Sequence, residues 1–353
     1  MIGAGLLGLL TARVLNAAGM AVTLVERGSA FREASWAGGG ILCPLAPWDY
    51  PDAVTVLVGW SQRHYPELVS ELWDETGIDA QWIRSGLLLA GTETDPVIEA
   101  WVQTHDCRLQ CFDAGQVSTL EPALAEQFGP ALLLPDVAQV RNPRLGKALQ
   151  ASLRQRGVAV QEHTEVTGLL SRAGVIEGIL TSMGEIRAPQ VVVAGGAWSA
   201  QILQGTGLEL PVTPVRGQMI QYQAQPGLLQ HIVLYRGHYV IPRSDGLILA
   251  GSTLEHTGFD KAVTAAAREG LVRHSQALVP ALAGLEVVRH WAGLRPGTRD
   301  GVPKIGEHPA IRGLYINTGH YRNGVVMAPA SARLLADRIL QRESITDISR
   351  YAL

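Results

Sequence analysis

Apolar positions recur along this chain in two periods, one helical and one alternating. After a glycine-rich start, Leu9, Leu10, Val14 and Leu15 offer one helical face, and Gly19 closes that helix. The short apolar run at residues 21–25 then suits a buried parallel strand. Residues 52–76 carry a helical stripe of Val54, Leu57, Val58, Tyr65, Leu68, Val69 and Leu72. Residues 84–90 read as a strand and residues 95–105 as a short helix. Pro143 opens another helix through Leu145, Ala148, Leu149 and Leu153, which Gly157 ends. Residues 158–160, 165–167 and 191–194 read as strands. From Pro211 to Arg295 the period shifts to two, with strands at 219–222, 239–242 and 247–250 and a turn at Ser244-Asp245-Gly246. A buried strand at 314–317 and an amphipathic helix at 325–341 close the chain.

This order predicts an α/β protein, α+β overall. Nucleotide-type pieces at both ends and in the middle enclose two β-rich insertions. The expected division is discontinuous and tightly joined: 1–45, 141–210 and 300–353 form one domain, and 46–140 and 211–299 the other. With 353 residues, 47% of them hydrophobic and 17% charged, a sizeable core is available and wholesale disorder is excluded. A formal net charge of −3 gives no electrostatic case for nucleic acid or anionic lipid. No apolar stretch reaches the span of a bilayer, so no stable membrane insertion is expected. Cys43, Cys107 and Cys111 are odd in number and scattered, fitting neither a disulfide framework nor a metal site and pointing to a reducing cytoplasm.

The chemistry begins at the amino end. Gly3, Gly5 and Gly8 have the G-x-G-x-x-G spacing: a tight turn, close approach of a pyrophosphate to backbone, and close helix–sheet packing. The helix that follows offers free N–H groups to phosphate. Glu26 ends the next strand, where a carboxylate accepts both hydroxyls of an adenosine ribose. Glycines, helix, strand and terminal acid in order predict a dinucleotide. Only Met1 and Ile2 precede Gly3, so the first strand is expected to be a stub or to begin upstream. No basic residue precedes the apolar run, which argues against a signal peptide. Gly38, Gly39 and Gly40 clear side chains from one short surface that a flat ring could approach.

Further along, Trp291-Ala292-Gly293-Leu294-Arg295-Pro296-Gly297-Thr298 and Gly319-His320-Tyr321-Arg322-Asn323-Gly324 join Tyr239-Val240-Ile241-Pro242-Arg243. With the start and the glycine triplet, these segments make the whole chain resemble glycine oxidase of the thiamine-biosynthesis type, within the D-amino-acid oxidase and sarcosine oxidase superfamily of FAD amine oxidases. The resemblance implies a Rossmann-like FAD-binding domain with an inserted, mainly antiparallel β-sheet substrate domain. It implies FAD held without a covalent link, because no cysteine lies between Arg295 and Gly306. For the ADP half it implies Gly3, Gly5, Leu6, Leu7, Gly8, Glu26 and Arg27, with Val166 bonding adenine through its backbone. Ser35 and Gly38 to Gly40 would lie along the pyrophosphate and flavin, and Ala194 and Gly195 beneath the cofactor. Gly319, Tyr321, Arg322, Asn323, Gly324 and Val325 would meet the flavin ring.

For the substrate, the resemblance implies that Arg295 grips a carboxylate with its planar fork, that Tyr239 donates to the same carboxylate, and that Arg322 stands near the flavin pyrimidine. No Ser-His-Asp or Cys-His set is legible. The reading is hydride transfer from glycine, sarcosine or a small D-amino acid to flavin, giving imine or 2-oxo acid, ammonia and, with O2, hydrogen peroxide. A hand-off to a thiazole synthase would follow, and a homo-oligomer is compatible with the sequence. Two alternatives stay open: a D-amino-acid dehydrogenase passing electrons to a quinone, and a tRNA-modifying flavoenzyme of related fold. Leu254 would stand in a substrate wall. Residues 44–50, with Trp48, could either form a lid or simply pack.

Overall fold

The computed structural model describes residues 1–125 and 128–353. Two β-layers position the site. In the first, Thr23–Val25 runs parallel to Ala159–Gln161, and Val191–Val193 runs parallel to Leu314–Thr318. Ile2 fills the gap between these pairs, bridged in parallel to both Val25 and Val193. The Ile2 N–H donates to the Val192 carbonyl and the Gly3 N–H to that of Val25, each at 2.8 Å. Ile2 thus links the two strand pairs into one ladder. Lys304–Glu307 adds an antiparallel strand on the far side of Leu314–Thr318.

One face of this layer is covered by the helices Leu6–Ala17, Asn142–Gln155 and Gly324–Ile339. Leu9, Leu149 and Leu335 meet there in a single core, each contributing roughly 1.5–3 kcal/mol by burial. The long helix Asp52–Thr76 joins the same core through Leu57 and Leu72, although its segment was expected on the substrate side. Gly77 stops it in the left-handed region at φ 66°, its N–H donating to the Trp73 carbonyl at 2.7 Å. A meander of Val166–Arg172, Val175–Thr181 and Gly184–Arg187 lies elsewhere on the layer, packing Ile176 and Ile179 with Val193 and Ile316.

The second layer is an eight-stranded sheet. Its order is Val287–Gly297, Thr213–Gln223, Leu247–Gly251, His238–Pro242, Ile232–Tyr235, Leu87–Ala90, Ala131–Leu134 and Gln110–Phe112. All neighbours are antiparallel except Ile232–Tyr235 on Leu87–Ala90. The strand expected at 84–90 is broken in two, Ile83–Arg84 and Leu87–Ala90, because Gly86 turns the chain at φ 66°. The helix Ala265–Leu278 interrupts a stretch that reads as β-rich. Thr264 caps it, accepting the Ala267 N–H, and Leu271 and Leu278 cover Ile220 and Tyr222. The opposite face presents Met219, Tyr239, Ile241 and Leu249 in a separate cluster that also holds Cys43.

Candidate active site

A cavity of about 530 Å³ runs from the glycine fingerprint to the strand Val287–Gly297. At one end Gly3, Gly5, Leu6 and Leu7 form its wall. Gly3 turns at φ 98°, where a side chain would collide with Ala194. The helix that follows has no side-chain cap and no acid in its first turn. Ser35 takes the Leu6 N–H at 2.8 Å, leaving the next N–H groups without helical acceptors. The Glu26 carboxylate is fixed by two backbone donors, Ala4 at 2.9 Å and Gly28 at 3.0 Å, and still borders the cavity. Farther out, the Arg27 guanidinium stacks 4.0 Å from the centre of the Trp198 ring, and Trp198 and Val166 line the same end. Ala194 and Gly195 make the floor between.

At the other end the cavity reaches Gly38, Arg295, Tyr321, Arg322, Gly324 and Val325. Arg295 projects from its strand with Nη1 donating to the Thr253 carbonyl at 3.1 Å and Nη2 to the Ser252 hydroxyl at 2.8 Å. Burial pushes its pKa below the ordinary arginine range. Arg322 nearby acts in the same direction, and Tyr239 opposes it. Among the described residues no carboxylate lies within ion-pair distance of Arg295. A sheltered guanidinium with donors to spare and no protein anion is built for an anion from outside. The closing helix starts at Gly324, and its first two residues, Gly324 and Val325, border this end of the cavity.

Several expected residues stand just behind the wall. Gly8 backs onto Gly3, so close that a side chain there would strike the Gly3 carbonyl. Gly39 faces Ile241 and Tyr239, and Gly40, at φ 78°, lies against the Val140 carbonyl. Gly319 turns at φ 81° against Thr298, and Asn323 is buried ahead of the closing helix. Tyr239 is buried over Gly251 with its hydroxyl 3.7 Å from the Met219 sulfur. Leu254 is 48% exposed and does not border the cavity. Trp48 packs edge-on against Trp101 at 6.3 Å, and no residue of 44–50 borders the cavity.

Other functional candidates escaped the sequence. Arg243, fully sheltered, ties the glycine triplet to the sheet. His320 lines the cavity with Nε2 on Ser331 Oγ at 2.9 Å, Nδ1 unpartnered, and its pKa pushed down to about 3 by burial. Asn317, also on the wall, has an unpartnered Oδ1. Each carries a weak signal, a polar residue inside an apolar strand or turn, that fits many structural roles equally well. Together, the phosphate-ready helix end, the fixed Glu26, the glycine floor and the orphaned polar atoms fit an elongated, polar cofactor ending in a flat ring.

The family model described as FAD dependent oxidoreductase (DAO) matches residues 1–338. The chain belongs to this family. Within it, the chain is 50% identical to a glycine oxidase of Pseudomonas aeruginosa over 353 residues, all of this chain and 97% of the relative. It is 32% identical to the bifunctional protein ThiO/ThiG of Trichormus variabilis, covering 99% of this chain and 54% of that protein. The crystal structure of glycine oxidase from Geobacillus kaustophilus superposes with a TM-score of 0.94 at 31% identity, covering 100% of this chain and 96% of the other. Family membership makes the chain an FAD-dependent oxidoreductase, and the cavity is where the family's cofactor fits.

Proposed function

We propose that the protein oxidises glycine or another small amine-bearing acid to an imine while O2 is reduced to hydrogen peroxide, and that water then hydrolyses the imine to 2-oxo acid and ammonia (methylamine from sarcosine). The observation that carries this reading is Arg295: a sheltered fork with no protein carboxylate among the described residues, at the ring end of a dinucleotide cavity. Bound FAD supplies the two-electron acceptor. The chain supplies position. Arg295 holds the substrate carboxylate, and Tyr239 limits the space beside it. The first-turn N–H groups of the closing helix offer a positive end that stabilises negative charge on the ring. Behind this end, Met219, Tyr239 and Ile241 pack together as a buried apolar cluster.

The same reading assigns the glycine fingerprint and Glu26 to the ADP half, and Arg322 to the ring. It keeps the discontinuous division of the chain into cofactor and substrate domains. The same reading has FAD bound without a covalent link, and it is supported by the absence of cysteine from the cavity lining among the described residues. The bifunctional ThiO/ThiG relative supports a hand-off of the imine or oxo product to a thiazole synthase. No helix among the described residues is long and apolar enough to cross a membrane.

The test is an anaerobic titration of the holoenzyme with glycine, sarcosine, D-alanine and L-alanine. Glycine bleaches the flavin absorbance, and readmitted oxygen restores it with one equivalent of peroxide. Bleaching without reoxidation by oxygen would instead favour a quinone-linked dehydrogenase, and no bleaching by any small amine would overturn the reading.

A further inference from the structure

Arg295 does not reach the cavity unsupported: its supports come from the neighbouring strand and from the segment that follows the strand Leu247–Gly251. On the neighbouring strand, Val215 pairs with Arg295, so Gly217 is its diagonal neighbour on the same face. A Cβ on Gly217 would sit closer than 3.0 Å to Nη1, Nη2 and Cζ of Arg295 at once. The guanidinium therefore lies flat on bare backbone, in the middle of a strand where glycine otherwise weakens pairing. The edge of the fork is held by Ser252 Oγ and the Thr253 carbonyl.

That segment is itself pinned along the strand Thr213–Gln223. The Gln218 N–H donates to Thr253 Oγ1 at 2.9 Å, and Arg216 and Glu255 exchange backbone hydrogen bonds at 2.8 and 3.0 Å. The buried Arg216 side chain then clamps Glu255 at 2.5 Å and Asp260 at 2.6 Å. Two of the five N–H donors of Arg295 are thus spent on fixing its plane.

We propose that Gly217 and Ser252 are positioning residues: with the Thr253 carbonyl they form a socket that presets the Arg295 fork for the substrate carboxylate. This rests on the reading of Arg295 given above. A preset fork loses less side-chain freedom when the anion arrives, so the socket acts on carboxylate affinity more than on the chemical step. Gly217 supplies the floor and Ser252 the lateral stop.

The experiment measures acetate binding to the holoenzyme by perturbation of the flavin spectrum, with KM and kcat for glycine, FAD content and Tm, in Ser252→Ala, Ser252→Thr, Gly217→Ala and Arg295→Ala. Loss of the charge-assisted bond in Ser252→Ala raises the acetate Kd and the glycine KM about tenfold, with kcat changed less than about twofold. Ser252→Thr keeps the hydroxyl and recovers most of the affinity. Gly217→Ala pushes the fork off its floor and weakens acetate more than Ser252→Ala does. If Gly217→Ala fails to fold, the serine pair decides. Unchanged acetate affinity in Ser252→Ala beside a loss in Arg295→Ala would overturn the socket and leave the Arg295 reading standing. Unchanged affinity in Arg295→Ala would remove that reading itself.

Discussion

Arg243 Nη2 donates to the carbonyl of Gly39 at 2.8 Å, joining the eight-stranded sheet to the glycine triplet across the interior. The same side chain donates to the Val140 carbonyl at 3.1 Å and to Gln139 Oε1. Among the described residues no acid pairs with it, and its Nε has no partner. Three acceptors depend on one buried cation, and Gly38, next in the loop, borders the cavity.

Arg243→Met is therefore predicted to destabilise the protein. Removing the charge relieves its desolvation, but it strands three acceptors that water cannot reach. The unmade hydrogen bonds outweigh the relief, for a net loss of about 2–4 kcal/mol. Urea unfolding of both holoproteins measures this, and FAD content reports whether the triplet has moved. A variant as stable as the parent, with full flavin, would show that Arg243 is a passenger.

Glu26 gives the second prediction. Each carboxylate oxygen already accepts one backbone N–H, from Ala4 and from Gly28. Glutamine has a single acceptor oxygen, so Glu26→Gln leaves one of those donors facing an amide NH2 and also loses a ribose acceptor. The FAD Kd is predicted to rise about 10–100-fold, at about 1.4 kcal/mol per tenfold. Reconstitution of deflavinated protein, followed by tryptophan quenching, reads the change. Equal affinities would remove Glu26 from the ribose.

His320 sets an acid limit. Burial lowers its pKa from 6.5 to about 3, so the folded protein holds it neutral while the unfolded chain protonates near 6.5. A depressed folded pKa means that the unfolded state binds the extra proton. Stability from this group is complete above pH 6.5 and declines as pH falls toward 3, by up to about 1.4 kcal/mol per pH unit. His320→Gln should flatten that part of the profile. Urea titrations between pH 7 and pH 4 on both proteins test it, and parallel profiles would exclude His320 as the cause.

Much of the cofactor end was legible because its logic is local. The fingerprint, the helix and Glu26 lie within 26 residues, and spacing alone brings Glu26 back to the Ala4 N–H. The carboxylate socket was not legible, since Gly217 and Arg295 meet only once their two strands are in register, and Ser252 joins them from the segment after a third strand. Gly217 lies ahead of the strand expected at 219–222 and Ser252 beyond the one expected at 247–250, so neither carried a signal. The helix Ala265–Leu278 was missed because only Leu271, Ser275 and Leu278 are buried, too few apolar positions to show a helical stripe, although its exposed alanine, arginine and glutamate are good helix formers. The break at Gly86 was missed although Arg84-Ser85-Gly86 is polar and flexible, because the apolar run from Leu87 drew the short segment before it into one strand. Tertiary packing decided these positions where local pattern could not.

Arg295 carries the functional claim and the last prediction. In Arg295→Ala the substrate carboxylate enters a sheltered cavity without its fork, while Arg322 remains near the ring as a partial substitute. Breaking one side of a buried ion pair costs about 3–5 kcal/mol, which corresponds to roughly 10²–10⁴-fold in kcat/KM. Arg295→Lys keeps the charge but cannot lie flat on Gly217 or present two parallel donors, so it recovers only part of the loss. Flavin content stays normal in both, because the contacts proposed for the ADP half lie at the far end of the cavity. The measurement is kcat/KM for glycine and D-alanine, with flavin absorbance as the occupancy control. Near-normal efficiency in Arg295→Ala would move the carboxylate to Arg322, and the substrate would then have to lie across the ring in the opposite sense.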